Sequence, residues 1–133
     1  MLLISIFSFF NIIFSYYFDL FLNVNNYAYT FVFSLLIGLF LIFFKNFNFR
    51  KIDIYEKVIL VIFGFLFFPL IISIPFYFSI SNISFLNCYF EAISGFTSTG
   101  FTIFDNIKQL DQSLLIWRST SQWIGGLYFL FSL

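Results

Sequence analysis

The chain has 133 residues, of which 62% are hydrophobic and only 9% are charged. Six basic and six acidic residues give a formal net charge of zero, and histidine is absent. Soluble domains carry about 25% charged residues, so this composition leaves too little polar surface to cover a globule in water. It therefore excludes a soluble enzyme, and the lack of a basic face excludes nucleic acid as a partner. Without histidine there is no His-based catalysis or common zinc site, and no cofactor is expected.

Charge-free windows show where the chain can cross a bilayer, which takes about 20 mostly apolar residues in an α-helix. They predict an all-α membrane protein with four transmembrane helices, at residues 1–18, 27–44, 58–78 and 113–133. Asn23, Asn25 and Asn26 are expected to form a turn before the second helix. Pro69 and Pro75 are expected to bend the third. Six aromatic residues are predicted to be interfacial anchors, namely Tyr16, Tyr17, Tyr27, Tyr29, Trp117 and Trp123.

The basic residues predict the orientation of the chain. Four of the six cations lie between the second and third predicted helices, namely Lys45, Arg50, Lys51 and Lys57. The positive-inside rule therefore places the loop at residues 46–57 in the cytoplasm. With four spans, both termini are then cytoplasmic, and residues 79–112 face outward.

The outward-facing stretch contains an unusual pair of segments. Phe85–Ser94 is apolar apart from Glu91 and predicts a helix of about 15 Å, too short to cross the bilayer. Residues 95–102 follow, with the sequence Gly-Phe-Thr-Ser-Thr-Gly-Phe-Thr. Non-helical backbone at membrane depth must be buried in protein or line a cavity. A short helix followed by an extended Thr/Gly segment is the layout of a re-entrant cation-channel pore loop, which meets this requirement. The alternative is a flexible external loop in which these residues only mark turns.

The residue types in this segment suit a potassium site. A dehydrated potassium ion needs a ring of oxygens in place of its water, and successive backbone carbonyls can supply it. Gly100 can adopt the unusual backbone angles that align neighbouring carbonyls. Thr97, Ser98 and Thr99 would supply carbonyls, and the Thr97 hydroxyl could add a ligand. The preceding helix would direct the negative end of its dipole at the ion.

Five residues are predicted to support this segment. A lone charge at the bilayer centre costs about 2.5–3.5 kcal/mol, so Arg118 is expected to pair with Glu91 or with carbonyls of the Thr/Gly segment. The alternative is that Arg118 reaches outward to the lipid headgroups. Gly125 and Gly126 are expected to make room for the short helix, and Gln122 to hydrogen-bond to it.

Two motifs resemble a known family. Residues 90–100, with the sequence Phe-Glu-Ala-Ile-Ser-Gly-Phe-Thr-Ser-Thr-Gly, resemble the first pore loop of the Trk/Ktr/HKT superfamily of potassium transporters. Residues 117–119 (Trp-Arg-Ser) and 122–126 (Gln-Trp-Ile-Gly-Gly) look like the start of the following helix in its TrkH branch.

The resemblance implies four helix–pore-loop–helix repeats around one ion pathway. Residues 58–133 would form the first repeat, after two N-terminal helices within residues 1–45. It implies potassium uptake across the bacterial inner membrane, with residues 97–101, Phe101 included, as one quarter of the selectivity filter. It also implies contact with membrane lipid, the remaining repeats, a homodimer and a cytoplasmic nucleotide-binding regulatory subunit.

Two features depart from the family pattern. The chain ends at Leu133, after one repeat, so it is expected to be a fragment or to assemble with other pieces. Tyr128 stands where TrkH-like proteins usually have a small residue, so residues 128–133 are expected to pack differently. The alternative function is a non-conducting structural or regulatory membrane subunit, or an inactive fragment. A membrane-embedded enzyme would need clustered carboxylates or histidines, which the sequence lacks.

Overall fold

The structure, a computed structural model, describes residues 1–43, 53–107 and 110–132. The helices are α1 (Leu2–Tyr17), α2 (Phe21–Phe43), α3 (Ile54–Ser79), α4 (Phe85–Phe96) and α5 (Gln112–Ser132). No β-strand occurs within those ranges, which confirms the all-α prediction. Most of the predicted basic loop, including Lys45, Arg50 and Lys51, lies outside the described residues.

Two of the helices are long and apolar enough to cross a membrane. They comprise Asn23–Phe43 of α2 and Ile54–Ser79 of α3. Helix α1 has 16 residues and is shorter, and α5 has 21. Large apolar side chains are exposed along the outer faces of α1, α2 and α3. A surface of this kind suits lipid or further protein, as expected for a membrane protein.

Helix α3 begins four residues before the predicted position because its first turn is capped. Asp53 accepts a hydrogen bond from the Ile54 N–H at 3.0 Å, and the Asp53 N–H donates to Glu56 Oε2 at 3.2 Å. This capping box satisfies N–H groups that would otherwise lack partners, so the helix includes the charged residues at its start.

Both prolines lie inside α3, and a neighbouring helix donates a hydrogen bond to the carbonyl three residues before each of them. Each proline itself removes the donor to the carbonyl four residues before it. Tyr89 on α4 donates from its hydroxyl to Leu66 O at 2.9 Å, and Trp117 on α5 donates from Nε1 to Ile72 O at 2.9 Å. These bonds attach α4 and α5 to the proline-containing part of α3.

The asparagine-rich segment is helical, so its prediction as a turn was wrong. Helix α2 already begins at Phe21. Asn23 donates from Nδ2 to Asp111 Oδ2 at 2.7 Å, and Asn26 donates to Ser79 Oγ at 2.9 Å. Asparagine favours turns when its amide bonds to the local backbone, but here the amides bond to the end of α3 and to the start of α5, where Asn23 also donates to Ser113 Oγ at 3.0 Å.

Two of the predicted interfacial anchors are core residues instead. Tyr27 and Trp117 are fully buried, with ring centroids 5.6 Å apart. The Tyr27 hydroxyl hydrogen-bonds Ser113 Oγ at 3.2 Å. Because both polar atoms find partners inside the protein, these amphipathic rings can be buried. The other four predicted anchors are exposed.

Helix α4 packs against α3 and α5 and is buried mainly toward its C-terminal end. Its buried residues are Cys88, Glu91, Ala92, Ser94, Gly95 and Phe96. Ser84 caps its N-terminus by accepting from the Asn87 N–H at 3.3 Å. The end of α4 is therefore fixed, and it determines where the following segment starts.

Candidate functional site

The segment after α4 has two residues in left-handed backbone conformation. Ser98 has a φ of 55° and Gly100 a φ of 83°. A Cβ added at Gly100 would meet no atom within 4 Å, so glycine is favoured there by backbone conformation and not by space. The special backbone geometry expected at Gly100 is present, whereas that of Ser98 was not foreseen.

Backbone N–H groups of this segment turn back toward α4. Thr97 donates to Ile93 O at 2.8 Å, Ser98 to Gly95 O at 2.9 Å and Thr99 to Ser94 O at 3.0 Å. These bonds satisfy carbonyls at the C-terminal end of α4, which a helix otherwise leaves without partners.

The carbonyls of the same segment are in a different situation. No donor among the described residues reaches the carbonyl oxygens of Thr97, Ser98 or Thr99. These residues are exposed, as are Gly100 and Phe101. Since N–H groups point inward and three successive carbonyls lack donors, the segment presents bare oxygens on a face that the described residues do not cover.

A chain of hydroxyl hydrogen bonds lies beside these carbonyls. Thr97 Oγ1 donates to Ile93 O at 2.8 Å and lies 2.6 Å from Thr99 Oγ1. Since one hydroxyl has one proton, Thr99 must be the donor to Thr97. The Thr97 oxygen then keeps one lone pair with which to contact a cation.

The buried carboxylate of Glu91 connects α4, α5 and the segment. Arg118 Nε lies 2.5 Å from Glu91 Oε1, and the carboxylate is fully buried. Its other oxygen accepts from the Thr102 hydroxyl and the Ile103 N–H, both at 3.1 Å. A buried charge needs a partner and hydrogen bonds, and Glu91 has both.

Arg118 also reaches the backbone of the segment. Its Nη2 donates to Gly100 O at 3.3 Å and to Phe101 O at 3.4 Å. The pairing expected from the sequence is confirmed for both proposed partners, the Glu91 carboxylate and the segment's carbonyls. The Arg118 side chain is only 13% exposed, which opposes the alternative of an arginine extended to the headgroups.

The two glycines of α5 differ in their surroundings. A Cβ at Gly125 would collide with the carbonyl oxygen of Phe96, so this glycine lets α5 approach the end of α4 as expected. A Cβ at Gly126 would meet nothing within 4 Å. Gln122 makes no side-chain hydrogen bond to α4, all of which is described, so that expectation was wrong. Gln122 and Gly126 instead line an open cavity of about 450 Å³ on the outer side of α5.

Tyr128 packs against α3, where a small residue could not reach. Its hydroxyl donates toward Leu60 O and Val61 O, at 3.1 and 3.2 Å. Its ring contacts Phe68 edge-on with centroids 4.9 Å apart. A Cβ at Gly64 would collide with the Tyr128 hydroxyl, so the two residues fit each other. Tyr128, which departs from the family pattern, therefore has its own packing partners on α3.

Cys88 lies on α4 and is fully buried. Burial raises the pKa of its thiol to about 11, and the nearby Glu91 carboxylate adds to the increase. The thiol is therefore neutral at physiological pH. Within the described ranges, no three His, Cys, Asp or Glu side chains come together in a way that would hold a metal ion.

Sequence reasoning missed two residues that attach the segment to α4. Ser94 Oγ donates to Phe101 O at 2.6 Å, and Thr102 donates to the Glu91 carboxylate. Ser94 lies three residues after Glu91, so the two share a helix face. That spacing was the available signal, but a serine at this position is equally typical of a small residue that only packs between helices.

Comparison with known proteins identifies the family of this chain. Residues 23–131 match the TrkH family, which is described as cation transport proteins. The chain therefore belongs to the TrkH family of cation transport proteins, which are membrane transporters and not enzymes.

The individual relatives match over a shorter stretch. An uncharacterized cation transporter of Methanocaldococcus jannaschii is 44% identical over 54 residues, or 41% of this chain and 11% of the relative. The Trk system potassium uptake protein TrkI of Halomonas elongata is 38% identical over 55 residues, again 41% and 11%. The protein TrkG of the Escherichia coli Trk potassium uptake system is 41% identical over 46 residues, or 35% and 10%. The chain thus matches about a tenth of the length of each relative. No solved structure matches the chain.

Proposed function

We propose that this chain takes part in potassium uptake and that residues 97–101 form one quarter of a selectivity filter. The observation that carries the proposal is the row of carbonyls at Thr97, Ser98 and Thr99, which no donor of the described residues reaches. Oxygens of this kind replace the hydration shell of a potassium ion. The names of two relatives, which are potassium uptake proteins, support potassium as the ion.

The length of α4 supports a re-entrant path. Its 12 residues span about 18 Å, well short of the roughly 30 Å of hydrocarbon in a bilayer. The non-helical backbone that follows is then tolerated at membrane depth only where protein or a water-filled cavity surrounds it. Packing of α4 between α3 and α5 supplies one side of that enclosure.

The Glu91–Arg118 pair supports the filter in this proposal. It holds residues 100–103 through hydrogen bonds to both the arginine and the carboxylate. Arg118 occupies the carbonyls of Gly100 and Phe101, so the ion is offered mainly the three preceding carbonyls. Gly125 contributes by letting the end of α4 approach α5, while Gly126 and Gln122 face the side on which further protein would pack.

The wider arrangement is part of the same proposal. Helices α1, α2, α3 and α5 each cross the bacterial inner membrane, with the basic loop at 46–57 and both termini in the cytoplasm. Residues 1–45 form the N-terminal pair of helices, and residues 58–133 the first repeat. Further repeats complete the filter, and the whole protein is a homodimer with a cytoplasmic nucleotide-binding regulatory subunit.

Potassium uptake in bacteria that lack their own uptake systems tests the proposal. The complete protein containing this chain should restore growth at low potassium, and Gly100→Ser should reduce uptake at least about tenfold by straining a left-handed residue. Gly38→Ser is the matched control, because its Cβ would meet Leu2, at 3.1 Å, and Met1, at 3.3 Å, and no residue of the loop within 3.4 Å. Uptake that ignores the Gly100 change would contradict the filter assignment. A well-folded complete protein that transports no potassium would favour a non-conducting subunit.

A further inference from the structure

Ser94 contacts the proposed filter through both its hydroxyl and its backbone carbonyl. Its hydroxyl donates to Phe101 O at 2.6 Å, seven residues along the chain. Its own carbonyl accepts from the Thr99 N–H at 3.0 Å and the Gly100 N–H at 3.4 Å. One residue therefore contacts three successive residues, and it does so while only 4% exposed.

Ser94 and Glu91 together fix residues 99–103, which form the outgoing half of the loop. Ser94 hydrogen-bonds to residues 99–101, and Glu91, one helical turn earlier, hydrogen-bonds to Thr102 and Ile103. The outgoing chain is thus attached residue by residue to one face of α4. The carbonyls of residues 97–99 have no such attachment, so their positions depend on where the attached half begins.

The Ser94 hydroxyl closes this loop. Without it, Phe101 O would keep only the Arg118 contact at 3.4 Å, which is long for a hydrogen bond. The left-handed backbone of Gly100 lies directly before this closure. Release of Phe101 would let Gly100 rotate and would shift the carbonyls that precede it.

We infer that Ser94 is a positioning residue for ion selectivity, which it controls by fixing Phe101 and thereby the spacing of the carbonyls at 97–99. The inference rests on the proposed function. Selectivity among monovalent cations depends on the number and placement of coordinating carbonyls, so it is sensitive to this spacing. Ser94 itself does not touch the ion.

The test compares four variants of the complete protein in bacteria lacking potassium uptake systems. Ser94→Ala removes the hydroxyl, Ser94→Cys keeps the side-chain volume but donates weakly, and Ser94→Thr keeps the donor. Ser73→Ala is the matched control, since Ser73 is equally buried and donates to Leu70 O at 2.7 Å within α3, away from the loop. The readouts are the KM for potassium, the KM for sodium and the amount of protein in the membrane.

The Ala and Cys variants should lower the ratio of sodium KM to potassium KM by about fivefold, the equivalent of one hydrogen bond, at unchanged protein amount. Ser94→Thr and Ser73→Ala should keep the wild-type ratio. A ratio unchanged in Ser94→Ala and Ser94→Cys would overturn the positioning role while leaving the proposed function standing. Equal changes in Ser73→Ala would also overturn it, because any buried serine would then have the effect. Absence of uptake by the wild-type protein would overturn the proposed function, and this inference with it.

Discussion

Removal of either member of the Glu91–Arg118 pair should destabilise the protein strongly. Arg118→Gln leaves a fully buried carboxylate without its counter-charge, and Glu91→Gln leaves an arginine that is only 13% exposed. Loss of one partner of a buried ion pair costs about 3–5 kcal/mol. The lower end, about 3 kcal/mol for each change, is expected, because each remaining charge keeps other hydrogen bonds: Glu91 keeps the Thr102 and Ile103 donors, and Arg118 keeps two backbone carbonyls.

The double variant separates this coupling from general damage. With glutamine at both positions no charge is left unpaired, and the two amides can hydrogen-bond to each other. The combined loss should then be about 3 kcal/mol instead of 6, which is a coupling of about 3 kcal/mol. Arg118→Lys keeps the charge but loses the planar fork, so it should preserve folding better than Arg118→Gln while loosening the Gly100 carbonyl contact.

Unfolding of the purified complete protein by SDS in mixed micelles gives the four free energies that the cycle needs. The Gln122→Ala variant is the control, because Gln122 makes no hydrogen bond to α4. Losses that simply add in the double variant would refute the reasoning, since they would show that the two side chains do not depend on each other.

Three further predictions concern α4 and α5. Gly125→Ala should lower the melting temperature in detergent, measured by circular dichroism, because its Cβ would collide with a carbonyl of α4. Gly126→Ala has open space at its Cβ and should leave the melting temperature unchanged. Equal effects of the two changes would disprove the close contact at Gly125. Trp117→Phe should cost about 1–2 kcal/mol by removing the hydrogen bond from Nε1 to Ile72 O. By contrast, Trp123→Phe, 70% exposed, should change the free energy of unfolding by less than about 0.5 kcal/mol. Since burial raises the pKa of the Cys88 thiol to about 11, the thiolate fraction increases only as the pH approaches that value. Maleimide labelling at pH 8 should therefore be slow until the protein is unfolded. Rapid labelling of the folded protein would contradict the burial.

The local chemistry of the loop could be predicted from residue types. Gly100 was expected to adopt unusual backbone angles because a Thr/Gly segment after a short helix requires them, and its φ is 83°. Arg118 was expected to pair because an isolated charge among apolar residues is unstable, and Glu91 was the other charge expected within the membrane-buried part of the protein. The residues on α4 and α5 that form this pair are 27 positions apart in sequence, yet each carried its own signal.

Contacts between helices were harder to predict. Tyrosine and tryptophan, the residue types at 27 and 117, are typical of interfacial anchors, and the asparagines at 23, 25 and 26 are typical of a turn. These predictions failed because hydrogen-bond partners for three of these side chains lie on distant helices: Ser113 for Tyr27, and others for Trp117 and Asn23. A propensity describes a residue beside its neighbours in sequence and contains no information about partners that are 45 to 88 residues away.

The sequence by itself determined that this chain belongs in a membrane and that a short helix precedes a glycine-containing segment, because both follow from apolar length and backbone freedom. Only the tertiary structure decided which oxygens are free. Packing of α4 against α5 directs the Ser94 hydroxyl and the Arg118 guanidinium to the carbonyls of residues 100 and 101. Those of 97–99 receive no donor from the part of the chain that the structure describes. That division arises from the directions of hydrogen bonds between elements, which no local pattern of residues specifies.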